Sequence, residues 1–188
     1  MLRTEQDAAD HAKPNLLDPI EQALNVDAAF TGKIYRTAQL GVKKLRVDVG
    51  IMYTDKVDKE GNSIVAMIEY KRAPLIANDQ GDFEKSLWMR HELNSNFVPL
   101  TNNTARYLRE NMHAMKHLKQ AKAYVRRANC RYVALCNYTS LVLLKFLEAD
   151  CRVIEVTLVD SGKIPLLLAL IGFILQAIEH WRDTPKPM

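Results

Sequence analysis

RVDVGIMYTDKVDKEGNSIVAMIEYKRAP, residues Arg46 to Pro74, reads as two strands joined by a charged turn. In the first, Arg46–Tyr53, Val47, Val49, Ile51 and Tyr53 alternate with Asp48, Gly50 and Met52, the period of a half-buried strand. The second, Ser63–Lys71, is apolar almost throughout and ends in Glu69-Tyr70-Lys71. Period-2 geometry puts Glu69 and Lys71 on one face and Tyr70 on the other. The polar link TDKVDKEGN ends in Gly61-Asn62, a hairpin-turn signal. Pairing the strands brings Asp48 beside Glu69. Two carboxylates and a lysine at the end of a buried hairpin must be paired with one another or bind a cation.

Asp48 followed by Glu69-x-Lys71 after an apolar strand resembles the signature of the PD-(D/E)xK nuclease superfamily. More narrowly, it resembles the N-terminal nuclease domain of type I restriction enzyme R subunits. Gln120-Ala-Lys-Ala-Tyr124 resembles the QxxxY motif of that branch, and RYVALCNYTSLVLLKF resembles the paired strands that follow it. Thr4-Glu5 resembles the family's opening helix, and the likeness covers roughly Thr4 to Phe146. Val47 stands where the motif often carries a proline that is not a ligand.

The resemblance implies an α/β (α+β layered) fold, a restriction-endonuclease-like core with a mixed central sheet flanked by helices. It also implies metal-dependent hydrolysis of phosphodiester bonds in nucleic acid, DNA first. Asp48 and Glu69 are hard oxygen ligands suited to Mg2+, with Mn2+ as a substitute, and the Tyr70 carbonyl is the implied third ligand. Lys71 is the implied stabiliser of transition-state charge or the group that positions the attacking water, Gln120 orients that water or Lys71, and Glu5 either approaches the metal or is a solvated helical acid. Arg72, Lys116, Tyr124 and Arg127 are the expected nucleic-acid contacts. No P-loop GxxxxGK[ST] is present, so the chain is not read as a complete restriction translocase.

The order of elements elsewhere supports the same plan. Thr4–Leu24 reads as a helix, a turn and a second helix near Pro19–Leu24, because Pro14 and Pro19 oppose one straight helix. Ala29–Arg36 reads as a strand, and Leu75–Pro99 as a long connection with a short helix near Glu84–Leu93. Asn103 or Thr104 opens a helix to about Arg127, with Leu108, Met112, Met115, Leu118 and Val125 as its apolar stripe and His113, His117, Gln120 and Tyr124 as a polar one. His113 and His117 have zinc-ligand spacing but no third ligand nearby, so a partly exposed histidine pair is the plainer reading. This helix carries many cations and almost no acids after Glu110, which suits a face turned toward phosphate.

Tyr132–Asn137, Ser140–Phe146 and Arg152–Val159 read as strands. The apolar run Ile164–Ile178 is shorter than the roughly 20 residues that span a bilayer. It reads as a core helix on the sheet, with a membrane anchor as the rival.

At 188 residues the chain is most simply one domain, 1–188, with its recognisable core at about 4–146 and a C-terminal strand and helix over 152–182. Nearly half the residues are apolar, and the net charge of +4 is compatible with a polyanionic partner without requiring one. Cys130, Cys136 and Cys151 lie in or beside apolar stretches and read as buried reduced thiols. With no apolar run in MLRTEQDAADHAK, they point to an intracellular site, cytoplasmic or nuclear. Two other classes remain: a nuclease-fold protein that binds nucleic acid or a protein partner without cutting, and a structural protein in which Asp48–Lys71 is a buried charge cluster.

Overall fold

A computed structural model describes residues 10, 12–26, 32–42, 45–55, 63–71, 112–137, 140–148, 150–151, 154–160 and 165–184. Asp10 and Ala12 are already helical, and a π-turn at Lys13–Leu17 runs directly into α1 (Asp18–Val26). It is followed by β1 (Gly32–Val42), β2 (Leu45–Asp55), β3 (Ser63–Tyr70) and α2 (Met112–Ala128). The chain continues as β4 (Tyr132–Cys136), β5 (Ser140–Phe146), β6 (Ile154–Asp160) and α3 (Leu166–Asp183).

The strands form one open, six-stranded sheet in sequence order. All neighbours are antiparallel except β3 and β4, which are parallel. A parallel pair cannot be joined by a hairpin, so the chain crosses over between β3 and β4, and α2 lies on that crossover. The fold is therefore an α/β layered domain with a mixed central sheet flanked by helices.

Alternation along the strands supplies two apolar faces. On one, Ile20, Leu24, Leu170 and Ile174 from α1 and α3 pack against Ile34, Ile51, Ile68, Ala134 and Leu141. On the other, Leu118, Ala121 and Val125 of α2 pack against Met67, Val133, Leu135, Val142 and Leu144. Both faces of the central strands are covered, which is why β3 to β5 are nearly continuous apolar runs. Asn129 ends α2 with φ 51°, the left-handed conformation that asparagine tolerates at a helix C-terminus.

Three expectations are corrected. The two prolines do not impose a turn between helices in the described segment. Pro14 sits in the first turn of the π segment, where no N–H is required, and the Asp18 N–H closes on the Lys13 carbonyl. Strand β1 runs past Arg36 to Val42 because Thr37, Leu40 and Val42 pair with Gly50, Val47 and Leu45. The alternation of β2 breaks at Asp48: Val49 packs on the α3 side and Val47 on the α2 side. As expected, α3 packs on the sheet through Leu170, Phe173, Ile174, Ala177 and Ile178, while Leu168 on its outer face is 61% exposed.

Among the described residues no helix is long and apolar enough to cross a membrane. All three cysteines are buried and free, and burial pushes the Cys130 and Cys136 thiols up to about 12.

Candidate active site

The polar end of the β2–β3 hairpin lies beneath α2. The β2–β3 ladder reaches Val49 opposite Ile68 and Gly50 opposite Met67. One residue further the backbone pairing stops, and the Asp48 carboxylate takes the Tyr70 N–H at 2.8 Å. A side chain thus replaces the next rung of the ladder and fixes Asp48 beside the Glu69–Lys71 segment.

Glu69 and Lys71 share a face, as the two-residue period requires, and both are buried. Lys71 Nζ donates to Glu69 Oε1 at 3.0 Å and to the side-chain carbonyl of Gln120 at 3.1 Å. The Gln120 amide nitrogen donates to Glu69 Oε1 at 2.7 Å and to the Tyr124 hydroxyl. Tyr124 in turn donates to Glu69 Oε2 at 3.1 Å. An ammonium has no acceptor, so the Gln120 atom facing Lys71 must be oxygen, and the direction of every bond in the ring follows. Gln120 and Tyr124 reach one point because they are one helical turn apart.

Burial raises the Glu69 pKa; the Lys71 ammonium opposes that rise and the Asp48 charge adds to it. The Tyr124 hydroxyl is raised too, by burial and then by the charge of Glu69. A carboxyl held above its ordinary value contributes stability that is complete below that value and is lost as pH rises through the raised one. The stability of wild type relative to Glu69→Gln, measured by urea unfolding, is therefore expected to fall as pH rises from the ordinary glutamate value upward. A difference that stayed flat with pH would show that Glu69 ionises normally.

The donor set fits a hard divalent cation. An ionised carboxylate offers four lone-pair sites. At Glu69 two on Oε1 and one on Oε2 are taken, leaving one on Oε2. The second oxygen of Asp48 accepts nothing from the described residues. Repulsion between the two carboxylates is what a cation shared by them would relieve. Among the described residues no three His, Cys, Asp or Glu side chains come together. A three-oxygen set from the protein therefore needs a carbonyl, and Tyr70 supplies one between Glu69 and Lys71.

Asp48, Glu69, Tyr70, Lys71 and Gln120 are thus brought together. Glu5 and Arg72 lie outside the described residues, as do the expected start of the long helix and the Leu75–Pro99 connection. Lys116 and Arg127 are exposed on α2. Tyr124 needs correction: it is 2% exposed and turned to Glu69, so it belongs to the internal network and not to a nucleic-acid-contacting surface. His117 is partly buried, and the side chain of His113 lies outside the description, so the pair does not form a described metal centre.

Sequence reasoning missed Asn137 and Ser140, which are buried at the ends of β4 and β5. In Cys-Asn-Tyr-Thr-Ser they look like ordinary turn residues, and only the parallel register with β3 sets them near Lys71. No protein-family model, curated protein or solved structure matches the chain.

Proposed function

We propose that the protein is a metal-dependent nuclease that hydrolyses phosphodiester bonds in nucleic acid, DNA first. The observation that carries this reading is the single network formed by Glu69, Lys71, Gln120 and Tyr124, with Asp48 fixed at its edge. Mg2+ or Mn2+ held by Asp48, Glu69 and the Tyr70 carbonyl supplies Lewis-acid polarisation of the phosphate and a more acidic water. Lys71 keeps one N–H beyond those given to Glu69 and Gln120, and that N–H serves the negative charge that builds on the phosphate oxygens. Gln120 holds the ammonium in place, and Tyr124 holds Gln120 and Glu69.

The surface beside the site supports the same substrate. Helix α2, MHAMKHLKQAKAYVRRA, contains five Lys or Arg residues and no acid. Lys116 and Arg127 are exposed and lie within about 40° of Gln120 around the helix axis, at 3.6 residues per turn. They flank the site along the helix, as cations that meet a phosphate backbone would.

Purified protein incubated with plasmid or single-stranded DNA is expected to cut in Mg2+ or Mn2+ and to stop when a chelator is added. Binding is expected to weaken with salt, and Lys116→Ala and Arg127→Ala should each lower the slope of log affinity against log salt by about 0.7–0.9. One observation favours a second reading, a nuclease-fold protein that binds without cutting: protein donors already occupy both Glu69 oxygens. Binding without cleavage across metals and substrates would decide for it.

A further inference from the structure

The margin of the sheet opposite Lys71 carries a second set of ionisable side chains. Tyr132 opens β4, and the ladders set Lys145 of β5 opposite it and Glu155 of β6 opposite Lys145. Tyr132 and Leu143 pack on the α3 side, so by alternation and register all three residues share that face. Lys145 Nζ and Glu155 Oε2 form an ion pair at 3.2 Å. Arg131, next to Tyr132, donates from Nη1 to the Leu147 carbonyl at 2.9 Å.

Over this row lies the last turn of α3. The His180 ring rests on the Tyr132 ring, with centroids 5.8 Å apart. The His180 carbonyl ends the helix by accepting the Thr184 N–H at 3.1 Å and its hydroxyl at 2.7 Å. Next in the chain, Trp181 meets Tyr53 edge-on at 5.1 Å, and Arg182 donates to the Tyr53 hydroxyl at 2.7 Å. One residue thus joins the aromatic stack, the helix end and the contact with β2.

A helix C-terminus ordinarily favours a charged imidazole. Here burial opposes the charge first, then Arg131, then Lys145, while Asp183 pulls the other way; the balance holds His180 below the ordinary histidine value. Glu155 is already paired with Lys145, and the Tyr132 phenol, pushed up to about 12 by burial and then by the charge of Glu155, stays neutral; Glu179 on α3 adds to that rise. A cation formed on this ring therefore meets two like charges before it meets an opposite one.

We propose that His180 is a pH-sensitive latch on the C-terminal turn of α3. Neutral, the ring lies on Tyr132 and keeps the turn closed on Tyr53. Protonated, it turns away from Arg131 and Lys145 toward water and frees Trp181 and Arg182. The rest of α3 stays on the sheet through Leu170, Phe173 and Ile174. The open turn binds the proton better, so the latch holds above the ordinary histidine value of 6.5 and opens as pH falls from there through the lowered value.

Trp181 reports the latch in a Trp88→Phe background, which removes the other tryptophan. Its emission maximum and its quenching by acrylamide are followed from about pH 8 to about pH 5, with far-UV circular dichroism alongside. On acidification the emission is expected to shift to the red and quenching to rise, with a midpoint below the ordinary histidine value, while the circular dichroism holds. The His180 ring protons, followed by NMR in the unsubstituted protein, should titrate with the same midpoint. His180→Gln should remove the transition, and Lys145→Gln should move its midpoint upward. Lys145 is one-third exposed, so its variant carries the test if His180→Gln does not fold. Trp181 emission that ignores pH, or a midpoint unmoved in Lys145→Gln, overturns the proposal. Loss of all signals in one step also overturns it, since His180 would then only contribute to global acid unfolding.

Discussion

Lys71→Ala is expected to lower Mg2+-dependent cleavage by about 10²–10³ while DNA binding stays close to wild type, the effect of losing one fixed stabiliser of transition-state charge. The ammonium is held at 3.0 Å from Glu69 and 3.1 Å from Gln120, so its position does not have to be found when substrate arrives. The same substitution leaves the Glu69 carboxylate buried with only neutral donors. Removing one partner of a buried pair costs about 3–5 kcal/mol, so the melting temperature should fall as well and the assay must run below it. Asp48→Asn is the cleaner companion. An asparagine oxygen still accepts the Tyr70 N–H, so the backbone contact survives while a cation ligand is weakened. Its cleavage should recover in part in excess Mg2+ or Mn2+, which Lys71→Ala should not. Gln120→Ala removes orientation rather than charge and should fall between wild type and Lys71→Ala. Cleavage that survived Lys71→Ala unchanged would place the active site elsewhere.

What the sequence made legible follows the range over which each signal acts. The β2–β3 hairpin, the shared face of Glu69 and Lys71, and the meeting of Gln120 with Tyr124 depend on periods of two and about four residues. Each was readable from neighbours alone. The meeting of Gln120 with Glu69 joins positions 51 apart and depends on the crossover that lays α2 on the sheet; only the family resemblance suggested it. Tyr124 looked like part of a polar helix stripe because its hydroxyl is polar. Its ring is core, and the hydroxyl is satisfied inside the protein, which no local pattern distinguishes. The break in β2 alternation at Asp48 arises where a side chain displaces a ladder bond, again a tertiary event. The same holds for Arg36, which pairs with Asp18 and Glu21 across the β1–α1 interface, and for Arg182, whose guanidinium donates to the Tyr53 hydroxyl at 2.7 Å. Asn137 and Ser140 were hidden for the opposite reason: a local turn explanation was already sufficient.

Ile174→Asp is expected to prevent folding, whereas Leu168→Asp, six residues earlier on the same helix, should be tolerated. Ile174 is 0% exposed and packs with Leu170, Phe173 and Ala177 against the sheet, while Leu168 is 61% exposed. An unpaired carboxylate forced into an apolar site carries a penalty of several kcal/mol, added to the lost packing of the isoleucine. A domain of this kind has a margin of only about 5–15 kcal/mol. Helix α3 is also tied down at its middle and its C-terminal end: Phe173 meets Tyr132 edge-on at 5.2 Å, and Trp181 meets Tyr53 edge-on at 5.1 Å. The helix therefore cannot simply lift to let the charge reach water. Gly172 gives a control of opposite sign. A Cβ added there meets nothing within 4 Å, so Gly172→Ala should gain about 0.5–1 kcal/mol from helix propensity alone. Circular dichroism melts of the three variants should rank Gly172→Ala above wild type and Leu168→Asp near it, with no cooperative transition for Ile174→Asp. A native melt for Ile174→Asp would mean that α3 does not form one face of the core.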